Sequence, residues 1–188
     1  MDLKNFIDDN TYVRKAQTFS FGTYEECEKM FIDAFKLTDK TMKEFKMLPE
    51  YKEIIQWLSN NEGKGIFMTG SVGRGKSAIL NGVLPLIFRA RGGKILNVYP
   101  ARELHKQEKL KWCVCIDDIG QDGVVNDYGT KIDAVENAIS HCEDRMKLLF
   151  MTSNLNKKQI IERYGTRIMD RIGRLCKIVV FKGESLRA

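Results

Sequence analysis

The spacing of apolar residues changes repeatedly along the chain, and each change marks an element. Residues 1–22 mix charge with Phe6, Ile7, Tyr12, Val13, Phe19 and Phe21 in no fixed period, which predicts a partly ordered arm. From Thr23 the period becomes helical, with Tyr24, Cys27, Met30, Phe31, Ala34, Phe35 and Leu37 at three- and four-residue steps. Thr38-Asp39 breaks this run and offers a fresh N-cap before a short apolar set, Met42, Phe45, Met47 and Leu48. Pro49 then sets off a helix over residues 50–59, carrying Ile54, Ile55, Trp57 and Leu58, which stops at Asn60-Asn61-Glu62-Gly63.

Beyond residue 60, short β-prone runs alternate with helical stretches. Strands are predicted over residues 65–69, 94–99, 111–117, 147–152 and 177–181, and helices over 77–91, 101–109, 131–145 and 157–174. Residues 120–130, with Gly, Asp and Asn, read as a loop. Such alternation predicts an α/β fold whose five-stranded, mainly parallel sheet is flanked by helices on both faces. Ligand chemistry then belongs at the carboxyl ends of the strands. The expected organisation is a helical N-terminal extension over residues 1–60, packing on a core over 61–188.

The first strand runs into Gly70-Ser71-Val72-Gly73-Arg74-Gly75-Lys76-Ser77, or GSVGRGKS, which fits G-x-x-x-x-G-K-[ST]. A polyphosphate crowds the backbone, so Gly70, Gly73 and Gly75 keep Cβ atoms away while successive N–H groups converge on the anion. Lys76 supplies a point charge to the β- and γ-phosphates, and the Ser77 hydroxyl suits Mg²⁺. The helix that follows turns its positive end toward the same anion. Strand, loop and helix in this order are the context the motif requires, so a nucleotide such as ATP with Mg²⁺ is the expected ligand.

The third strand, KWCVCID, is apolar until Asp117-Asp118 at its tip. There the first carboxylate holds Mg²⁺ and the second, Asp118, orients or deprotonates an attacking water. The fourth strand ends in Thr152-Ser153-Asn154, which puts an amide beside the γ-phosphate, although Asn154 also reads as a helix N-cap. Arg167, Arg171 and Arg174 follow at i, i+4 and i+7, one face of a helix. Guanidinium groups there suit phosphate oxygens of a neighbouring subunit, or salt bridges to Glu162 or Asp170.

Composition narrows the setting. The chain has 188 residues, 43% hydrophobic and 30% charged, enough for one core and short for two. No apolar run approaches the ~20 residues of a membrane span. The start, MDLKNFIDDN, lacks the basic-then-apolar order of a signal peptide, so a cytoplasmic location is expected. Five cysteines without scaffold-like spacing read as reduced, mostly buried thiols. A formal charge of +6 is compatible with a nucleic-acid backbone, but its clusters at residues 102–111 and 163–177 are modest.

The motifs GSVGRGKS, CVCIDDIG, MTSN, RYGTRIMDRI and IVVFKGESLR, in that order, resemble the AAA+ ATPases of the DnaC/DnaI helicase-loader and IstB group. The resemblance spans about Gly65 to Arg187. It implies ATP hydrolysis in which Lys76 and Ser77 take phosphate and Mg²⁺, Asp117 takes Mg²⁺, Asp118 polarises water and Asn154 is sensor 1. Arg171 is then the first choice for an arginine finger acting in trans, with Arg167 second. It further implies self-association into a ring or filament, single-stranded DNA and a replicative DNA helicase as partners, and residues 1–60 as the helicase-contacting part. An IstB-like transposition helper is the alternative; a P-loop small-molecule kinase and a nucleotide-dependent adaptor are the readings outside the group. Many AAA+ ATPases have Glu where this chain has Asp118, which implies slow hydrolysis. Little follows the fifth strand, so no C-terminal lid is expected, and the compact size suits a phage or mobile element.

Overall fold

The computed structural model describes residues 16–40, 44–106, 112–122, 125–127 and 130–186. The first part of the expected arm, Met42, the end of the helix expected over 101–109 and the first residue of the strand expected over 111–117 lie outside the described residues.

Helix α1 (Tyr24–Thr38) starts where two side chains cap each other. The Thr23 hydroxyl accepts from the Glu26 N–H at 3.3 Å, and the Glu26 carboxylate accepts from the Thr23 N–H at 2.8 Å. Its buried stripe is Cys27, Phe31, Ala34 and Phe35. Helix α2 (Pro49–Ser59) opens on its proline, at a position where no N–H is needed. The ring also forces Leu48 into an extended conformation (φ −103°, ψ 154°). Residues 44–48 accordingly form no helix, despite the apolar set they carry.

Next come β1 (Gly65–Gly70) and a helix in three parts: α3 (Lys76–Ala78), a π-helical turn (Ile79–Val83) and α4 (Leu84–Gly92). β2 (Val98–Pro100) leads through a 3₁₀ turn (Ala101–Lys106) toward β3 (Cys113–Ile119). β4 (Val125–Asp127) and β5 (Thr130–Ile132) make an antiparallel hairpin; α5 (Ala134–Arg145), β6 (Leu148–Ser153), α6 (Lys157–Leu175) and β7 (Cys176–Phe181) follow.

The five-stranded sheet has the order β2-β3-β6-β1-β7, with every neighbouring pair parallel. Successive residues of a strand face opposite sides, and both sides are covered here. Ile66, Met68, Cys113, Cys115, Phe150 and Phe181 pack with α1, α2 and the loop helix. Phe67, Val114, Ile116, Leu149 and Met151 meet α5 and α6 on the other side. The expected α/β class and its five-stranded parallel sheet are therefore present. The N-terminal helices share their core with the sheet: Trp57 sets its edge on Phe150, ring centroids 5.5 Å apart. Phe19 and Phe21, from the end of the arm, close the same cluster against Phe88 at 5.0 and 4.9 Å.

Two expectations are corrected. Residues 94–97 belong to no strand: the pairing with β3 begins only at Val98, opposite Cys115. Trp112, just outside β3, instead donates its indole N–H to the Ile95 carbonyl at 3.3 Å and takes the Lys94 ammonium over its ring. The paired strands β4 and β5 fall in and run past the expected loop over 120–130, with β5 ending at Ile132, so α5 starts at Ala134 rather than at residue 131. Asp133 caps it, accepting from the Val135 and Glu136 N–H groups.

Candidate active site

The phosphate loop leaves β1 through glycines with positive φ: Gly70 at 111°, Gly73 at 75° and Gly75 at 90°. A Cβ on Gly73 would lie 2.1 Å from Ser185 Oγ, and one on Gly75 2.7 Å from the Tyr51 hydroxyl. Space and conformation thus both demand glycine, and the loop remains a concave run of backbone. Lys76 donates its ammonium to the carbonyls of Gly70 (2.9 Å) and Ser71 (2.7 Å), which folds it back over the loop. Ser71 N–H is tied to the Phe181 carbonyl at 2.9 Å, while Val72 is exposed.

The Arg74 side chain turns away from this concavity. Its guanidinium meets the Glu50 carboxylate at 2.6 Å and donates to the Glu184 carbonyl at 3.1 Å, with Arg74 and Glu50 both buried. Beside them the Tyr51 hydroxyl donates to the Arg74 carbonyl at 3.0 Å. Burial, then the Glu50 charge, push the Tyr51 phenol up to about 12, so it stays a donor at any physiological pH.

At the strand tips, the pairing of β3 with β6 slips between Ile116 and Ile119. Such a bulge re-aims side chains. Asp117 accepts from the Ser77 hydroxyl at 2.9 Å, from the Asn81 amide at 2.8 Å, and from the Thr152 hydroxyl. Asp118 sits in the left-handed region (φ 62°), tolerated best by Gly, Asn and Asp. Its N–H donates to Thr152 Oγ1 at 2.8 Å, and its carboxylate accepts from the Asn154 amide at 3.0 Å. Desolvation raises the Asp118 carboxyl above its ordinary range; the Asp117 charge adds to this and Lys76 opposes it. Asn154 caps no helix: Asn156 does, in a capping box with Gln159.

Lys76, Ser77, Asp118, Thr152 and Asn154 border one cleft of about 1110 Å³, which continues over Phe35, Phe45 and Tyr51. The glycine cradle fits a polyphosphate, and the hydroxyl and carboxylate oxygens of Ser77 and Asp117 are the hard donors that Mg²⁺ prefers.

No family profile and no curated protein matches the chain. Among solved structures, a crystal structure of the DnaC helicase loader matches with a TM-score of 0.53 at 15% identity, covering 82% of this chain and 99% of that one. The fold is shared with the DnaC helicase loader. DnaI is also similar, with a TM-score of 0.49 at 16% identity, over 100% of this chain and 94% of that one.

On this DnaC-like fold the arginines of α6 part company. Arg171 pairs with Glu143 of α5 at 2.7 Å and donates to the Ser140 hydroxyl, with its side chain 15% exposed. Arg174 joins the same Glu143 at 2.7 Å and also pairs with Asp170. Arg167 is exposed and makes no hydrogen bond or ion pair among the described residues. Arg171, the first choice from sequence, is thus engaged inside its own chain, as is Arg174.

Sequence reasoning missed Asn81, the role of Thr152, and the Glu50–Arg74 pair. For Asn81 a signal existed, since it lies four residues after Ser77 on the same helix face. No helix among the described residues is long and apolar enough to cross a membrane. All five cysteines are buried and free.

Proposed function

We propose that this chain is a small AAA+ ATPase that binds ATP with Mg²⁺, hydrolyses it slowly, and loads a replicative helicase onto single-stranded DNA. The observation that carries the reading is the pair of contacts at the strand tips: Ser77 on Asp117 at 2.9 Å and Asn154 on Asp118 at 3.0 Å, beside Lys76. The fold shared with DnaC supports the helicase-loading part.

The loop N–H groups from Val72 to Ser77 and the Lys76 ammonium bind the phosphates, while the Ser71 N–H stays on the Phe181 carbonyl. Ser77 and Asp117 hold Mg²⁺, which supplies positive charge against that of the phosphates. Asp118 takes the proton of the attacking water or holds its lone pair in line, and Asn154 keeps that carboxylate aimed while lying beside the γ-phosphate. Phe45, partly exposed at the edge of the cleft, offers a ring face to the base. Because Arg171 is committed to Glu143, the finger that reaches a neighbour's γ-phosphate is Arg167, and side-by-side assembly into a ring or filament follows. Residues 1–60 meet the helicase, with Leu37 of α1, 69% exposed, among the contacting side chains. Positive charge draws in the DNA, with an affinity that falls as salt rises.

The test uses the whole chain, since α1 and α2 fill the core. Phosphate release from ATP-Mg²⁺ is measured against protein concentration, together with binding of a fluorescent ATP analogue and co-purification with a replicative helicase. Turnover per subunit should rise with concentration, and Lys76→Ala should abolish it. A wild-type protein that does not bind ATP-Mg²⁺ refutes the reading.

A further inference from the structure

Straight after Asp118 the chain turns at Gly120 (φ 98°), and two residues on the Asp122 side chain is deeply placed. The Asp122 side chain is 5% exposed, and its Oδ1 accepts from the Gly120 N–H at 2.7 Å and from the Tyr164 hydroxyl. Its Oδ2 accepts from Arg163 Nη2 at 3.1 Å, and the same guanidinium donates to the Asp122 carbonyl at 2.9 Å. The Gly120 N–H is shared with the Tyr164 oxygen at 2.8 Å, so loop and helix hold each other at both ends. Burial and the Asp122 carboxylate keep the Tyr164 phenol protonated far above neutral pH.

Tyr164 is the last residue before α6 breaks. Gly165 has φ 83° and ψ 164°, which no helix contains, and a Cβ there would touch nothing within 4 Å. The glycine is therefore required by the break, not by crowding. Arg167 emerges two residues beyond it. A buried carboxylate and phenol, spent on a surface loop, are dearer than the apolar contact that would pack it.

We propose that Asp122 and Tyr164 are positioning residues: a clamp that anchors the broken end of α6 to the turn after Asp118 and thereby sets the direction in which Arg167 leaves the subunit. This rests on the ATPase reading above, with Arg167 acting on a neighbour. Neither Asp122 nor Tyr164 lines the cleft, so the clamp acts through the arginine.

Complementation in mixed assemblies tests it, with the full-length chain, ATP-Mg²⁺ and phosphate release. Tyr164→Phe and Asp122→Asn should each lower kcat about tenfold or more while leaving the affinity for the fluorescent ATP analogue within about twofold. The double variant should be little worse than either single one, because the two act as a unit. Asp118→Asn subunits keep their clamp but lack their own acceptor of the water proton. Mixing them with Tyr164→Phe subunits should restore turnover several-fold, since each supplies what the other lacks; Arg167→Ala mixed with Asp118→Asn should behave likewise. If only the Arg167→Ala mixture recovers, the clamp is overturned and the ATPase reading stands. If neither mixture recovers, action in trans is wrong and the clamp falls with it.

Discussion

The phosphate loop is held on two sides by polar groups of opposite character. Toward α2 they are dry: Glu50 is 4% exposed, Arg74 7% and Tyr51 3%, each with a partner. Toward the strand tips they are wet: Ser77, Asn81 and Asn154 are exposed, and Asp117 and Asp118 half-buried. The dry side fixes where the loop is. The wet side keeps carboxylates reachable by water and ions, and it holds Asp118 in a backbone conformation most residues avoid. Shape is maintained where solvent is excluded, and chemistry is placed where it is not.

The largest way to break this contrast is Glu50→Ala. It leaves the Arg74 guanidinium buried without its carboxylate, which costs about 3–5 kcal/mol. For a domain of this size thermal unfolding should come about 10 °C earlier by circular dichroism. The contrast is sharpened by the double replacement Glu50→Met with Arg74→Met, which removes both charges and should recover most of that loss. On the wet side, Asp118→Asn should do the reverse. Asparagine also tolerates the left-handed backbone, so the fold stays, while ATP hydrolysis falls about 100-fold. Unfolding temperatures and phosphate release on the same samples separate the two sides.

Gly165→Ala has an intermediate effect. Nothing crowds the new methyl, so the whole cost, about 1–3 kcal/mol, comes from the positive φ. Were the substitution neutral in a denaturant titration, the break in α6 would not be a fixed feature of the native state.

Much of this was legible in one dimension, and the reasons are local. GSVGRGKS must leave a strand and enter a helix for its glycines to make sense, and CVCIDD carries both the burial of β3 and the acids at its tip. Helix α1 declares itself by the steps from Cys27 to Phe35. What escaped depends on pairs far apart in sequence. Arg74 reads as part of the phosphate loop and Glu50 as the start of a helix, and nothing in the spacing pairs them until α2 covers the loop. Asp122 reads as a turn residue until Tyr164 arrives from α6. The three-residue strands of the β4–β5 hairpin are too short to show a period. Spacing alone puts Arg167 and Arg171 on one face, and only the position of Glu143 on α5 separates an engaged arginine from an open one.

The smallest effect lies in the pH dependence of the wet side. The Asp118 carboxyl is raised above its ordinary value by desolvation first and by the Asp117 charge second. In the window between the ordinary and the raised value, the folded chain keeps a proton that the unfolded chain has lost. Stability contributed by this group therefore falls as pH rises through that window and is level above it. Asp118→Asn removes the slope. The variant's unfolding temperature should thus exceed that of the wild type near neutral pH, and the gap should close on acidification below the ordinary aspartate range. Hydrolysis carries the same signature in the opposite sense, since only the ionised carboxylate accepts the proton of water. The acid limb of kcat should lie above that of an ordinary aspartate. Replacing Asp117 by Asn would relieve part of the repulsion and move any limb seen in residual turnover downward. A gap in unfolding temperature that widened toward acid would mean that Asp118 is stabilised as a carboxylate, and the wet side would then be as settled as the dry one.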